Sequence, residues 1–358
     1  MVRSRLLTLA ATFLSTHSMQ ALDREGVEFK VYQFPKDAIP RIDGDVSDWD
    51  QVPESYIIGT NELWDDSGQN EGIQPETLDI KVRVAWVEGL NRLYFLYEAY
   101  DDYWDFALPG LRNDTFEVVV DGDLSGGPLI ERFRINNDVL SEADAFFTLH
   151  GAHAQNYHIF TPARDKSWTM LWGTQQWLKE LPYANAASHY DFSPGESGRY
   201  TLEFYITAFD HASPLGPSCS TESQFEENKI IGLSWAIIDY DENSKRNSGF
   251  WNLSRVHTMY GKADELVAFR LMPPEQKPTI QADWDFTVVD QARRLVAFHD
   301  ESDGDITSWY WDFGDGNTSN EQHPTHTYDK GDKYVVVLTV IGPEGESRWS
   351  KVWDVSLP

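Results

Sequence analysis

Only one cysteine, Cys219, occurs in the 358 residues, so no disulfide can form within the chain. Basic residues are also few: 29 Lys and Arg stand against 58 Asp and Glu, which gives a formal net charge of -29. Because phosphate binding needs a basic surface, this balance argues against a nucleic acid partner. Beyond the first 21 residues no apolar run approaches the roughly 18 residues of a bilayer span, so we expect no membrane span.

The short motifs of the common catalytic classes are missing as well. The sequence contains no G-x-S-x-G elbow, no H-E-x-x-H helix, no phosphate-binding glycine loop and no C-x-x-C pair. Carboxylate pairs are too frequent among 58 acidic residues to identify a glycosidase acid and base without a measured separation. The sequence therefore predicts a protein that is not an enzyme, and a polysaccharide-cleaving enzyme is the less favoured alternative.

The start of the chain has the features of an export signal. Arg3 and Arg5 precede a short apolar stretch, and Met19-Gln20-Ala21 is an acceptable cleavage site. Export without disulfides is typical of a bacterial envelope or medium. We therefore expect residues 1–21 to be a signal peptide and the protein to be secreted, periplasmic or part of the cell envelope.

Aromatic residues are abundant, with 14 Trp, 16 Tyr and 19 Phe. They bury large apolar areas, which makes extensive disorder unexpected. Their number exceeds what the interior of a protein of this size needs. We therefore expect some of the rings to lie on a surface and to contact a ligand.

Alternating apolar and polar residues predict β-strands along most of the chain. Ile80, Val82, Val84 and Trp86, for example, alternate with polar residues at the period of a half-buried strand. The other predicted strands are 93–97, 116–120, 133–135, 202–206, 230–238, 266–271, 295–298, 309–313, 334–340 and 352–355. Short strands separated by turns predict an all-β fold, an antiparallel β-sandwich with a long insertion followed by an immunoglobulin-like β-sandwich.

Three prolines near residue 275 divide the chain into two units. They cannot sustain a helix or a central strand, so residues 273–278 are interpreted as an extended, semi-rigid linker. Before it we expect an N-terminal extension over residues 22–37 and a β-sandwich over residues 38–272. Residues 279–358 follow as a separate C-terminal domain.

A long insertion, about residues 140–198, interrupts the N-terminal sandwich. It contains Trp168, Trp172 and Trp177 together with several tyrosines and histidines. Long loops inside a compact domain are usually functional or disordered, and the aromatic content argues against disorder. Two interpretations remain open here: a second small core packed on the sandwich, or a platform on which sugar rings stack.

The C-terminal unit contains three ordered motifs. They are Trp311-Asp312-Phe313-Gly314-Asp315-Gly316, Pro324-Thr325-His326-Thr327-Tyr328 and Gly331-Asp332-Lys333-Tyr334. On these residues the unit resembles polycystic kidney disease (PKD) domains, which implies a seven-strand immunoglobulin-like sandwich used as a spacer or adhesion module. We expect Trp311 and Phe313 in its core, and a turn at Gly314 and Gly316 that Asp315 caps.

The N-terminal unit resembles the family 9 carbohydrate-binding modules. The resemblance is carried by blocks in the same order and at similar spacing. They are Ile39-Pro40-Arg41-Ile42-Asp43-Gly44-Asp45-Val46-Ser47-Asp48-Trp49, Lys81 to Trp86, Leu93-Tyr94-Phe95, Asn113-Asp114-Thr115-Phe116-Glu117-Val118, Phe133-Arg134-Ile135-Asn136, Tyr200-Thr201-Leu202-Glu203 and Ile231-Gly232-Leu233. The resemblance implies an antiparallel sandwich that binds the ends of sugar chains, often with structural calcium.

The sugar-binding residues of that family are only partly present. Its two clamping tryptophans should stand near Leu111 and Ser254, and neither position is aromatic. Trp104 and Trp251 lie a few residues away and are the expected replacements. Glu117 and Arg134 match polar residues of the family's site, but a buried ion pair between strands explains them equally well. The candidate carbohydrate-binding residues are Trp104, Asp114, Glu117, Arg134, Asn136, Trp172 and Trp251.

No cofactor is required by these motifs, although an acidic turn could bind calcium. Asp43, Asp45 and Asp48 offer the hard oxygen ligands that calcium prefers, and a solvated turn is the alternative. The favoured function is a secreted, non-catalytic protein that binds a polysaccharide or oligosaccharide and associates with cell-surface or secreted degradative proteins. The alternatives are a structural or adhesive envelope protein without a sugar site, and a haem-binding relative using Met170 or Met259.

Overall fold

The computed structural model describes residues 22, 24–72, 76–107, 110–125, 141, 150–163, 167–241, 246–275 and 279–354. Strands dominate these residues, and the helical segments are short 3-10 turns. The strands of the N-terminal unit are β1 (Glu28–Phe34), β2 (Ile58–Gly59), β3 (Trp64–Asp65), β4 (Leu78–Val87), β5 (Leu90–Asp101), β6 (Thr115–Asp121), β7 (Gln155–Phe160), β8 (Thr169–Leu171), β9 (Ala184–Tyr190), β10 (Gly198–Thr207), β11 (Phe209–His211), β12 (Thr221–Glu222), β13 (Ile230–Asp239), β14 (Gly249–Asn252) and β15 (Val267–Leu271).

The C-terminal unit contributes the remaining strands of the described ranges. They are β16 (Ile280–Gln281), β17 (Trp284–Asp290), β18 (Leu295–Asp300), β19 (Asp303–Gly304), β20 (Ser308–Asp312), β21 (Thr318–Ser319), β22 (Thr325–Thr327), β23 (Lys333–Gly342) and β24 (Gly345–Asp354). The 3-10 helices are Val46–Gln51, Glu54–Tyr56, Thr60–Glu62, Gln176–Lys179, Pro217–Cys219, His257–Gly261 and Ala263–Glu265. None of the helices in the described ranges has the length and apolar character needed to cross a bilayer.

Two sheets form the N-terminal unit and share strand β1. The front sheet has the order β8-β7-β6-β13-β15-β1, and β14 and β3 continue it beside β13. The back sheet has the order β1-β4-β5-β10-β9, with β2 beside β4. Side chains that alternate along these strands fill the space between the sheets, as the sequence pattern of Ile80, Val82, Val84 and Trp86 predicts.

The first strand corrects two expectations. Residues 28–31 of β1 pair with β15 and residues 32–34 pair with β4, both in parallel orientation. The segment 22–37 is therefore not an extension outside the sandwich, because it supplies the strand that joins the two sheets. The sandwich is antiparallel except at these two pairings.

The described residues of the insertion extend both sheets and form neither a separate core nor a broad aromatic platform. Strands β7 and β8 extend the front sheet, while β9 extends the back sheet. Trp168, Trp177, Tyr183 and Tyr190 are half-buried and pack against the main core. Of the insertion's described tryptophans, only Trp172 lies on the outer surface of a sheet, where it lines a cavity.

A second apolar layer covers the outer face of the back sheet. Trp49, Val52 and Tyr56, from the segment that follows β1, pack on outward-facing residues such as Tyr94 and Leu96 of β5. The front sheet has a smaller cover, in which Met259, Ala263 and Leu266 pack against side chains of β6, β13 and β14. Part of the front sheet's outer face therefore stays accessible.

The C-terminal unit is a small sandwich with its own core. A three-stranded sheet, β17-β18-β22, packs on a four-stranded sheet, β21-β20-β23-β24. Trp311 and Phe313 are buried between these sheets as expected, together with Trp284, Phe298 and Tyr328.

The turn after β20 also follows the sequence prediction. Gly314 and Gly316 have φ of +80° and +91°, a backbone conformation that favours glycine. The Asp315 carboxylate accepts the N–H of Asn317 at 3.0 Å and contacts His326 Nε2 at 2.7 Å. The ring of His326 also stacks on that of Phe313, so this histidine is part of the core of the unit.

The Pro-rich segment between the units begins in contact with the sandwich. The backbone carbonyl of Met272 accepts the indole N–H of Trp86 at 3.0 Å, and Tyr56 donates a hydrogen bond from its hydroxyl to Glu275. Residues 276–278 of the expected linker lie outside the described residues.

Glu203 of β10 should stabilise the fold because its carboxylate hydrogen-bonds the segment that covers the back sheet. Its fully buried carboxylate accepts the indole N–H of Trp49 at 2.9 Å and the backbone N–H groups of Asp43 and Gly44 at 3.3 Å. We expect Glu203→Ala to lower the free energy of unfolding by about 3 kcal/mol, since it leaves buried donors unsatisfied. Urea unfolding followed by tryptophan fluorescence measures this loss. The control Glu98→Ala removes a half-exposed partner of Arg83 and should cost less than about 1 kcal/mol; equal losses would contradict the assigned role.

Candidate functional site

A continuous row of cross-strand neighbours crosses the outer face of the front sheet. Directly paired residues of adjacent strands have their side chains on the same side of a sheet. Starting from β8, the row is Met170, His158, Glu117, Ala236, Asn252 and Trp64. Polar side chains on an outer face need water or hydrogen-bond partners. This row places polar and titratable side chains side by side on one face, which makes it the candidate location of a functional site.

A cavity of about 550 Å³ lies over the middle of this row. Aromatic and aliphatic side chains form much of its wall, and a few polar groups converge inside it, which is typical of a small-molecule site. The lining residues are Leu111, Glu117, His158, Trp172, Ile238, Tyr240, Arg246, Asn247, Phe250, His257 and Tyr260.

Glu117 is the polar centre of the cavity. Its Oε1 accepts a hydrogen bond from Asn156 Nδ2 at 2.9 Å, and the Trp172 side chain also hydrogen-bonds the carboxylate. Burial raises the pKa of Glu117, and these hydrogen bonds together with His257 oppose the rise, which leaves the pKa at about 7. A buried carboxylate that changes its charge near neutral pH is a feature of functional sites.

His257 forms the side of the cavity near β14. Its Nδ1 lies 2.9 Å from Asp66 Oδ1, and its ring centroid lies 4.9 Å from that of Phe250. Its side chain is 57% exposed, so it can still contact a ligand. Trp172 on the opposite side is half-buried, which leaves part of its ring accessible from the cavity.

Trp104 and Trp251, the expected replacements for the clamp, do not present a ring to a ligand. Trp104 is 1% exposed, stacks on Phe192, and donates its indole N–H to the carbonyl of Gly198 at 3.0 Å. Trp251 is 4% exposed, because alternation along β14 directs it into the core between the sheets. The prediction that these two rings hold a sugar is therefore corrected, while Trp172 and Glu117 do meet at the cavity.

Arg134 and Asn136 lie outside the described residues. Their assignment to the site, and the alternative ion pair between Glu117 and Arg134, stay predictions. Met259, named for haem ligation, is buried in the apolar layer over the front sheet. Met170 is half-buried at the end of the cross-strand row.

Asp114 belongs to a buried acidic cluster next to the cavity wall. Its Oδ2 accepts the N–H of Asp105 at 2.6 Å and its Oδ1 accepts the N–H of Tyr240 at 2.8 Å. Single oxygens of Asp101, Asp114 and Asp239 lie within 4.8 Å of one another. Asp114 thus positions the backbone of cavity-lining Tyr240, and its own carboxylate faces other carboxylates.

The electrostatics of this cluster favour a cation. Burial and the neighbouring carboxylates raise the pKa of Asp101 to about 9 and of Asp239 to about 7, and they hold the pKa of Asp114 well above its usual range. The Trp251 side chain hydrogen-bonds the Asp239 carboxylate and lowers its pKa in part. The three carboxylates form an all-oxygen donor set of the kind that calcium takes.

The acidic turn named for calcium in the sequence has a different arrangement. Asp43 accepts the N–H of Asp45 at 3.0 Å, Asp45 that of Ser47 at 3.1 Å, and Asp48 that of Arg41 at 2.9 Å. Such bonds are typical of Asx turns and helix caps. Calcium at these three residues stays a prediction, and their oxygens are already used to shape the turn.

Several residues of the site could not be identified from the sequence. The cavity-lining His158 and Phe250, and the buried Asn156 that donates to Glu117, meet only because of the pairing of β7, β6, β13 and β14. One signal was available: His158 and Phe250 occupy strands whose alternate residues are core-facing, so their side chains had to face outward. The partner of each strand could not be deduced from that pattern.

Comparisons with known proteins agree with a chain of two different units. Residues 274–356 match the family model of the PKD domain. A segment is 51% identical over 47 residues to the pre-pro-metalloprotease PrtV of Vibrio cholerae, covering 13% of this chain and 5% of that protein. Another is 38% identical over 82 residues to the collagenase ColA of Clostridium perfringens, covering 22% of this chain and 7% of that protein. The chain therefore spans only a small part of these curated relatives, and the PKD resemblance is confirmed.

Solved structures resemble each unit separately. A family 9 carbohydrate-binding module from Caldicellulosiruptor kristjanssonii, in complex with cellotriose, is 13% identical and covers 70% of this chain and 97% of its own, with a TM-score of 0.45. The PKD1 domain of the Vibrio cholerae metalloprotease PrtV is 32% identical and covers 22% of this chain and 99% of its own, with a TM-score of 0.20.

Calcium should stabilise the protein through the cluster around Asp239. A ligand that binds the folded state alone, at a hundred times its Kd, adds about 2.7 kcal/mol of stability, which raises the Tm of a domain of this size by several degrees. We expect this rise when calcium is added to chelator-treated protein, measured by scanning calorimetry, and we expect Asp239→Asn to abolish it. The matched control replaces Asp43, Asp45 and Asp48 together by Asn. If only the control loses the response, calcium binds at the turn instead.

Proposed function

We propose that the N-terminal sandwich binds carbohydrate in the cavity on the front sheet and that the chain is a non-catalytic accessory protein. The observation that carries this proposal is the cavity itself, where the ring of Trp172 and a hydrogen-bonded Glu117 meet on an accessible sheet face. Aromatic faces stack on the apolar faces of sugar rings, while buried polar groups accept and donate hydrogen bonds to hydroxyls.

The arrangement around Trp172 supports a prepared stacking surface. The hydrogen bond from its indole to Glu117 fixes the edge of the ring, and the His158 ring packs against it at 6.1 Å between centroids. A ring held in place before the ligand arrives loses little conformational entropy on binding. Glu117 and His158 line the cavity beside the ring and offer polar atoms to a sugar's hydroxyls, and Asn156 Nδ2 holds the Glu117 carboxylate in place.

The carboxylates of the cavity support binding more than hydrolysis. A glycosidase needs two carboxyl groups on either side of the scissile bond, at a defined separation. Glu117 is the single acidic residue among the described residues that line the cavity. Asp66 lies behind His257 and is paired with it.

The PKD unit is proposed to act as a spacer. The match to the PKD family and a compact core of its own around Trp284, Phe298 and Trp311 support this role. Export is proposed from the first 21 residues, which lie outside the described part of the chain. Partners would then be polysaccharides together with cell-surface or secreted degradative proteins.

An adhesive envelope protein is the second candidate, and one observation favours it. Val335, Ile341 and Val352 are exposed on the outer face of the four-stranded sheet of the PKD unit, where Tyr310 is exposed as well. Exposed apolar residues on a flat sheet face are suited to association with another protein. This role does not need the front-sheet cavity, so variants in the cavity separate the two functions.

Removing the ring of Trp172 should weaken sugar binding about tenfold or more, because the stacking face and its buried area are lost together. We expect Trp172→Ala to migrate freely in affinity gels containing plant or algal polysaccharides that retard the unchanged protein. Tyr310→Ala is the control, since it removes an exposed ring from the PKD unit. Equal retardation of the Trp172 variant would contradict the proposal, and loss only in the Tyr310 variant would favour adhesion through the PKD unit.

Sugar affinity should rise with pH around neutrality. Sugar hydroxyl groups donate hydrogen bonds to an ionised carboxylate. Glu117 is ionised above its pKa of about 7, so the affinity for sugar is higher there and falls as the pH drops below that value. Titration calorimetry from pH 6 to pH 8 measures the change.

Glu117→Gln should remove this part of the pH dependence while leaving the other charged groups around the cavity in place. Those groups are His158 on the neighbouring strand, His257 with its partner Asp66, and Arg246 at the rim. A pH dependence that is unchanged in Glu117→Gln would assign it to these residues and refute the role given to Glu117.

A further inference from the structure

Trp64 is a large exposed aromatic residue that the cavity does not include. Its relative exposure is 56%, whereas most of the described tryptophans are buried or half-buried. An exposed tryptophan on a strand loses favourable burial. A single exposed ring needs no explanation by itself, but the position of this one in the sheet links it to the cavity.

The strand pairing places Trp64 on the same face as the cavity. Trp64 is directly opposite Asn252 of β14, Asn252 is opposite Ala236 of β13, and Ala236 is opposite Glu117 of β6. Side chains of directly paired residues lie on one side of the sheet. Three interstrand steps of about 4.8 Å place the backbone of Trp64 roughly 14 Å from that of Glu117.

Polar and aromatic residues connect the two places. The N–H of Asp66 donates to the carbonyl of Phe250 at 3.0 Å, so the cavity-lining Phe250 lies diagonally across from Trp64 on this face. Asn252 Nδ2 donates to Asp66 Oδ2 at 3.1 Å, and Asp66 Oδ1 contacts the exposed His257. Of these groups, the 57% exposed side chain of His257 can bond a hydroxyl, while the buried side chains of Asn252 and Asp66 hold the surface between the cavity and Trp64 in place.

The support of Trp64 is well ordered by hydrogen bonds. Buried Asp65 accepts the N–H groups of Ser67, Gln69, Asn70 and Phe250 at 2.8 to 3.0 Å. On the other side, Arg24 bonds both Glu62 and the carbonyl of Leu253. A ring carried by a fixed strand end is more effective as a binding surface than one on a mobile loop.

We infer that Trp64 is a second stacking platform and that the front sheet binds a linear oligosaccharide of several units rather than one terminal sugar. This inference rests on the proposed carbohydrate function. A monosaccharide held beside Trp172 and Glu117 cannot reach a ring roughly 14 Å away. An oligosaccharide that leaves the cavity over His257 and Asp66 passes over the ring of Trp64. In this assignment Trp172 stacks on the sugar unit inside the cavity, and Trp64 stacks on a later unit of the same oligosaccharide.

Binding of β-1,4-linked glucose, mannose and xylose oligomers of one to six units tests the inference. Titration calorimetry on the full chain compares the unchanged protein with Trp64→Ala, Trp64→Phe and Trp172→Ala. We expect Trp64→Ala to weaken binding of the five- and six-unit oligomers roughly fivefold and to leave one- and two-unit oligomers unchanged. Trp64→Phe should restore most of the loss, and Trp172→Ala should weaken all lengths. The unfolding midpoint of Trp64→Ala should not change, since the ring is exposed.

The outcomes separate the two claims. If Trp172→Ala weakens every length while Trp64→Ala binds the long oligomers as the unchanged protein does, the cavity is a sugar site and the inference about Trp64 is overturned. If the unchanged protein binds none of the oligomers or the polysaccharides in the gels, the carbohydrate function fails and the inference falls with it. A loss confined to long oligomers in Trp64→Ala supports both.

Discussion

The two sheets of the N-terminal unit differ in how far their outer faces are covered by apolar side chains. The position of any binding site in this unit depends on that difference. The back sheet is sealed by an apolar layer that Glu203 holds through Trp49 and two backbone N–H groups. In the part of the chain that the structure describes, the apolar cover of the front sheet is smaller and lies around Met259 and Leu266. A buried carboxylate is costly unless its oxygens accept hydrogen bonds. Glu203 meets this condition inside the covering layer, and Glu117 meets it inside an accessible cavity.

Much of the architecture could be predicted from the sequence. Alternation in β4 and the motif around Trp311 identify core-facing residues without knowledge of their partners, because the period of a strand fixes which side chains share a face. The role of β1 could not be predicted. Its short apolar stretch gives no sign that one half pairs with β15 and the other with β4, since pairing depends on the rest of the sheet.

The site was predicted less completely, for reasons that particular residues make clear. Glu117 and Trp172, predicted to bind carbohydrate from a motif and from an aromatic insertion, line one cavity, and their role as sugar ligands stays a prediction. Trp104 and Trp251 are near the missing clamp residues in sequence only, and a shift of one residue along a strand moves a ring to the opposite face. Asp101 and Asp239 are far apart in sequence, so only the folded sheet brings their carboxylates together.

The parallel pairing of β1 also has a consequence for how the chain reaches its native state. Glu28 lies opposite Ala268, 240 positions further along the chain. The two sheets cannot be joined until nearly all of the N-terminal unit has left the ribosome, and contacts of such long range form slowly. Local hairpins such as β4–β5 can pair early, so joining of the two sheets through β1 is the step of the N-terminal unit that must wait for its last strand.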